Sequence, residues 1–235
     1  MMIMRFFGFV FLLGSFAAHS YADTLGKQLE AKSAESKVDS GKKKIMEDAI
    51  KELRKSKLTA RAKKVGDVFP AFALKNAEGQ DRSLKTFLEK GPVIVTFYRG
   101  SWCPYCNIQL MEYQKSLNAW EKMGAKLVAL SPELPELSRK FAESRALTFD
   151  LLFDKDNEIA KKVGLVFGVK ADLRQVYEEF GLDLTKSQGN ADWQLPIAAT
   201  YVIGQDGRVK YAFVDVDYKK RAEPSEIEAA LKSKK

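Results

Sequence analysis

Apolar positions divide the chain into stretches with different periods. An apolar run extends from Phe6 to Ala18 behind a short basic start that ends at Arg5, and small residues follow at Ser20-Tyr21-Ala22. That order marks residues 1–22 as an export signal, and the run is too short to span a bilayer comfortably. Residues 24–38 and 42–57 then take helical spacing. Ile45, Met46, Ala49, Ile50 and Leu53 form one apolar stripe among lysines and glutamates, and Ser40-Gly41 separates the two segments. Such a stripe needs cover, so the arm over 23–64 is expected to pack on the main domain or on a second copy of the chain.

From Val65 to the end the period changes again. Val68–Leu74 reads as a short strand with Pro70 marking an edge, followed by a turn at Asn76-Ala77-Glu78-Gly79. Ser83 opens a short helix to Leu88. Pro92–Phe97 is the β-branched run of a buried parallel strand. A helix over 104–123, a strand Lys126–Leu130, a helix near 134–145, a strand Phe149–Phe153 and a helix Asn157–Val163 follow. Ala199–Ile203 and Val209–Val214 pair as a hairpin across Gln205-Asp206-Gly207, and Ser225–Leu231 is a last helix. Residues 170–195 fit no regular slot and read as an insertion. The alternation predicts an α/β domain over 65–235, a mostly parallel central sheet flanked by helices with an antiparallel hairpin at one side.

Charge changes the picture at the arm. The chain carries a formal +8, and residues 23–64 hold thirteen Lys/Arg against seven Asp/Glu with no aromatic residue. Nucleic-acid binding wants basic and aromatic residues on one folded face, so no nucleic-acid partner is expected. The arm reads as a solvated helical face.

The candidate chemistry sits in Trp102-Cys103-Pro104-Tyr105-Cys106, which holds both cysteines of the chain, directly after a buried strand and at the start of a helix. A helix N-terminus offers unpaired N–H groups and partial positive charge, which favour a thiolate, the reactive form of cysteine. A structural zinc site wants about four ligands, and removal of the signal takes His19, the only histidine. Haem attachment would need His after Cys106, where Asn107 stands. A structural disulfide closing so short a loop is a poor staple. A Cu(I) carrier using two soft thiolates is the non-enzymatic alternative. No cofactor and no resident metal are expected. Cys106, Leu110, Tyr113, Leu117 and Trp120 recur at helical spacing, which buries Cys106 and leaves Cys103 at an exposed cap as the attacking thiolate.

Phe97-Tyr98-Arg99-Gly100-Ser101-Trp102-Cys103-Pro104-Tyr105-Cys106-Asn107, with Trp193-Gln194-Leu195-Pro196, Ala199-Thr200-Tyr201-Val202-Ile203 and Val214-Asp215-Val216-Asp217-Tyr218, resembles the peroxiredoxin-like branch of the alkyl hydroperoxide reductase / thiol-specific antioxidant family. The resemblance implies a thioredoxin-like fold with a central mixed sheet. It also implies an oxidoreductase that reduces hydroperoxides through thiols, with electrons returned by a thioredoxin-type or other dithiol donor. The family register puts Arg99 where a proline is usual, Cys103 where a threonine is usual and Cys106 at the peroxide-attacking position. The family's later arginine position falls on Ala198. Register therefore nominates Cys106 as nucleophile, whereas helix position nominates Cys103. Arg99 is a candidate to bring positive charge to a peroxide oxygen or thiolate, with a solvated loop arginine as its alternative. Trp102 is a candidate to shield the sulfur and shape the partner surface, or simply to pack. A thiol–disulfide oxidoreductase acting on protein disulfides would use the same pair. Export would place the protein in an oxidising compartment, a bacterial periplasm.

Overall fold

The structure, a computed structural model, describes residues 24–233; the export signal expected over 1–22 lies outside them. The arm is helical. Helix α1 (Leu25–Ala34) follows Thr24, and α2 (Ser40–Lys55) is capped by Asp39, whose carboxylate accepts from Gly41 N and Lys42 N. The break between them therefore lies just before Ser40, because an aspartate cap stops α2 more firmly than the Ser-Gly pair does. A single turn, α3 (Leu58–Arg61), ends the arm.

The arm is docked on its own chain. Leu25 and Leu29 are buried in the cluster that also holds Leu110, Tyr113 and Trp120, and Glu223 accepts from Leu25 N and Gly26 N at the free end of α1. On α2, Ile50 is buried, while Ile45, Met46 and Ala49 lie against a cluster that includes Leu173, Tyr177 and Trp193. The expected stripe is thus covered without a second copy of the chain.

The body begins with a two-stranded ribbon, β1 (Ala73–Lys75) against β2 (Asp81–Ser83). The edge strand is shorter than expected, and residues 68–72 run mostly outside it, tied at Val68 to Arg208. Ser83 caps α4 (Leu84–Leu88). Then come β3 (Val93–Phe97), α5 (Pro104–Lys122), β4 (Lys126–Ser131), α6 (Pro135–Arg145), β5 (Asp150–Phe153) and, after a 3₁₀ turn, α7 (Glu158–Val163). The span 170–195 is not irregular. It follows β6 (Val166–Gly168) and contains α8 (Ala171–Glu179), α9 (Leu184–Gln188) and β7 (Gln194–Pro196), the last paired with β6. The chain closes with β8 (Ala199–Ile203), β9 (Val209–Val214) and α10 (Pro224–Lys232).

The central sheet has the order β5-β4-β3-β8-β9. β3 runs parallel to β4 and β4 to β5, whereas β8 is antiparallel to both β3 and β9, so the sheet is evenly mixed rather than mostly parallel. All five residues of β3 are buried, as a strand covered on both faces requires. One face packs on α1, α5 and α10 through Ile94, Leu110 and Trp120, and the other on α7 through Val95, Ile159 and Val163. The C-terminal end of β3 thus delivers the chain into α5 from the middle of the sheet, and the cysteine pair falls at that junction.

Candidate active site

Residues 98–102 turn the chain from β3 into α5 through a loop with little freedom. Gly100 has φ +148, and a Cβ there would stand 2.3 Å from Trp102 Nε1 and 3.0 Å from Glu133 Oε1. The buried Glu133 carboxylate accepts from Ser101 N at 2.9 and 3.0 Å and from Ser101 Oγ at 2.9 Å. Asn107 Nδ2 donates to Ser101 O, and Cys103 N donates to Gly100 O. Cys103 is the N-cap of α5 and Pro104 its first residue, a place where a missing N–H costs nothing. No side chain caps this end, so the first-turn N–H groups and their partial positive charge are left to the cysteine pair.

Both thiols are free, and both are fully buried. Burial of Cys106 follows from the helical stripe, since Leu110, Tyr113, Leu117 and Trp120 are buried with it. Burial of Cys103 corrects the expectation of an exposed cap. Trp102 and Tyr218 pack against the cluster that holds it, and Arg99 lies on its sulfur.

Arg99 is 5% exposed, so it is not a solvated loop residue. One terminal nitrogen donates to Cys103 Sγ at 3.2 Å and the other to Tyr177 Oη at 3.0 Å. Its guanidinium carbon lies 4.9 Å from the Trp102 ring centre and 4.4 Å from that of Tyr218, and its Nε has no hydrogen-bond partner. A second buried guanidinium, Arg221, serves the other sulfur, with Nη2 donating to Cys106 Sγ at 3.3 Å. Its Nε donates to Gln109 Oε1 at 2.7 Å, and its other terminal nitrogen to the carbonyls of Tyr218 and Lys220. Gln109 in turn donates to Thr96, Tyr113 and Thr200 beneath α5. Among the described residues neither arginine pairs with a carboxylate.

Sequence reading brought Cys103, Cys106, Arg99 and Trp102 to attention, and the structure gathers all four. It missed Arg221, which lies in Lys219-Lys220-Arg221 and looks like one more surface charge run. It also missed Tyr177, set aside within the supposed insertion.

The charges separate the two sulfurs. Burial pushes the Cys103 thiol up, but the hydrogen bond from Cys106 and the Arg99 and Arg221 charges overcome it and hold Cys103 well below the ordinary thiol value. Burial, the hydrogen bond given to Cys103 and the negative charge there push Cys106 well above that value. The surroundings thus favour the thiolate on Cys103 and the thiol on Cys106. A groove of about 510 Å³ opens beside it, bordered by Arg99, Trp102, Tyr105 and Tyr218 and rimmed by Lys37 and Lys43. No group of three or more His, Cys, Asp or Glu among the described residues is placed to hold a metal ion.

The family model described as AhpC/TSA matches residues 65–212, which take in the cysteine loop and the central sheet except the last two residues of β9. The chain belongs to the AhpC/TSA family. It is 33% identical over 161 residues to the chloroplastic peroxiredoxin Q of Sedum lineare, covering 68% of this chain and 74% of that protein. Against peroxiredoxin Bcp of Escherichia coli K12 it is 27% identical over 152 residues, 65% of this chain and 86% of that one. Among solved structures, peroxidoxin BcpB of Mycobacterium tuberculosis superposes with a TM-score of 0.58 at 22% identity, covering 74% of this chain and 99% of that chain. At that identity the likeness speaks for the thioredoxin-like fold. The described arm before residue 65 lies outside the family match.

Proposed function

We propose that the protein is a thiol peroxidase in which Cys103 attacks a hydroperoxide and Cys106 resolves the product. The observation that carries this reading is the contact of Arg99 with Cys103, which gives that sulfur a buried counter-charge. Family membership and relatives named peroxiredoxin support the reaction class.

The Cys103 thiolate attacks the terminal peroxide oxygen, the O–O bond breaks, and the departing alkoxide or hydroxide takes a proton. Cys103 is left as a sulfenic acid. The unpartnered Nε of Arg99 is a spare donor for a peroxide oxygen as charge develops on it. Once the charge on Cys103 is spent, one force that kept the Cys106 proton in place is gone, while both guanidinium charges remain. Cys106 then loses its proton and attacks the Cys103 sulfur, the S–S bond forms, and water leaves. An external dithiol of the thioredoxin type returns the pair to its reduced state. Because both sulfurs are buried, Trp102 and Tyr218 must swing aside at each encounter.

Mass spectrometry of peroxide-treated variants tests the order. Cys106→Ser should carry a sulfenic acid on Cys103, and Cys103→Ser should be nearly inert. A sulfenic acid on Cys106 that survives loss of Cys103 reverses the two roles. The order of residues 1–22 further supports export to an oxidising compartment, the periplasm in a bacterium. The native protein should then begin near Asp23, and a retained Met1 would sink that proposal.

A further inference from the structure

Where the arm meets the body, positive charge collects on one stretch of surface. Residues 54–68 carry Arg54, Lys55, Lys57, Arg61, Lys63 and Lys64 against Asp67 alone. Their backbone is pinned from within. Leu58 and Ala62 are buried beside Val163, Lys63 N donates to Val163 O at 3.0 Å, and a Cβ on Gly164 would stand 2.5 Å from Arg61 O. That packing sets the segment against the last turn of α7, which presents Lys161 and Lys162. On its other side Arg208 Nη1 donates to Gly66 O at 2.8 Å. Arg54 pairs with Asp217. The remaining cations of these segments have no ion-pair partner among the described residues, and all but the half-buried Lys63 are exposed. Three carboxylates, Asp67, Glu158 and Asp206, lie on the same segments. The tip of this surface is apolar. Lys64-Val65-Gly66-Asp67 is a tight turn in which Asp67 N donates to Lys64 O at 3.0 Å and Asp67 Oδ2 accepts from Lys64 N at 2.8 Å. Gly66 takes φ +93, as the third residue of such a turn must. Val65 is 65% exposed and Val68 56%, the two most exposed large apolar side chains among the described residues. A fixed turn thus holds two valines in water, with Lys63 and Lys64 before them and Arg208 beside them.

We propose that this surface is a docking site for an anionic phospholipid bilayer, onto which the protein adsorbs without spanning it. Each Lys or Arg close to such a bilayer strengthens adsorption about fivefold. Stable attachment takes a second signal beside the charge, and the two valines supply it by entering the boundary between headgroups and acyl chains. Other occupants fit less well. A second copy of the chain would bring like charge against like charge. Nucleic acid wants aromatic residues on which bases stack, and none occurs from residue 23 to residue 68. Adsorption involves neither the thiol pair nor peroxide, so it stands apart from the peroxidase reading.

The test sediments the chain from residue 23 onward with vesicles of phosphatidylcholine, with and without phosphatidylglycerol. Starting at residue 23 keeps the apolar run 6–18 from binding lipid itself. Binding is expected on the phosphatidylglycerol vesicles at physiological salt and should weaken as salt rises. Lys57→Gln, Lys63→Gln and Lys64→Gln together should weaken it about 150-fold. Lys122→Gln, Arg139→Gln and Lys140→Gln together remove the same charge from α5 and α6, which pack on the other face of the sheet from α7, and should change it little. Val65→Ser with Val68→Ser should weaken binding about tenfold and leave its salt dependence as it was. All these variants keep the fold, because no changed side chain is buried. No binding to phosphatidylglycerol vesicles, equal binding to phosphatidylcholine alone, or equal losses in the two triple variants overturns the proposal. Binding of a DNA duplex, or of a second copy of the chain, in place of the vesicles overturns the lipid assignment.

Discussion

Arg99→Met isolates the charge on which the reactive thiolate depends. The guanidinium donates to Cys103 Sγ at 3.2 Å, and unit charges at that separation attract by about 5 kcal/mol for an effective dielectric of about 20. Much of that gross attraction offsets the desolvation of both groups. The net worth of a charge-assisted hydrogen bond is about 1.5–3 kcal/mol. At about 1.36 kcal/mol per factor of ten, its loss should cut the thiolate population, and with it the rate of alkylation near neutral pH, by about 10- to 150-fold. Arg99→Lys keeps the charge but not the second contact to Tyr177, and should fall between. Stability should move little, because methionine fills the same space without a buried charge. The assay is stopped-flow alkylation of the reduced protein across pH, on a Cys106→Ser background so that one sulfur reports. Alkylation of Arg99→Met at the parent rate would refute the reasoning and assign the thiolate to the helix terminus and Arg221 alone.

Two further expectations concern the loop and the sheet edge. Gly100→Ala forces a Cβ to within 2.3 Å of Trp102 Nε1 at a φ of +148, so it should destabilise the fold by about 1–3 kcal/mol, read as a drop in Tm, and expose Cys103 to alkylation as Trp102 is displaced. An unchanged Tm would show that the loop relaxes freely. Burial pushes the Asp154 carboxyl up to about 6, against hydrogen bonds from Ile159 N and Ala160 N that lower it. An acid raised in the folded state favours folding while it is protonated. The stability it contributes is therefore present below its ordinary value of 3.8 and lost as pH rises to about 6, a loss of up to about 3 kcal/mol. Urea midpoints of Asp154→Asn should lack that slope, and parallel curves for the two proteins over this range would count against it.

Much of this was legible along the chain because the signals were periodic. β3 is a run of β-branched and aromatic residues and proves buried along its whole length, and α5 carries Cys106 on a stripe whose every member is interior. The α2 stripe likewise found its cover. What failed had no period to read. α8 presents Leu173, Val176 and Tyr177 to the interior within only nine residues, too short a window between glycines to separate from loop. The burial of Cys103 could not follow from its cap position, since part of the packing around it comes from Tyr218, far away in sequence. Arg221 sits in a basic triplet, and only the tertiary fold turns one of three such side chains inward.

Ala198 ties these residues together. The family register places an arginine there, at the mouth of β8, yet this chain has a buried alanine. Ala198 borders a small cavity that Arg99, Tyr177 and Tyr218 also line. A third guanidinium at 198 would add positive charge near Arg99, which like Arg221 pairs with no carboxylate among the described residues. In this chain the buried positive charge next to Cys103 comes from the loop, at Arg99. Arg221, anchored through Gln109 to the residues beneath α5, places its charge at the other sulfur. A single strand arginine would serve one reacting sulfur. Two, one bonded to each sulfur, stabilise whichever sulfur carries the negative charge, as the proposed passage of charge from Cys103 to Cys106 requires.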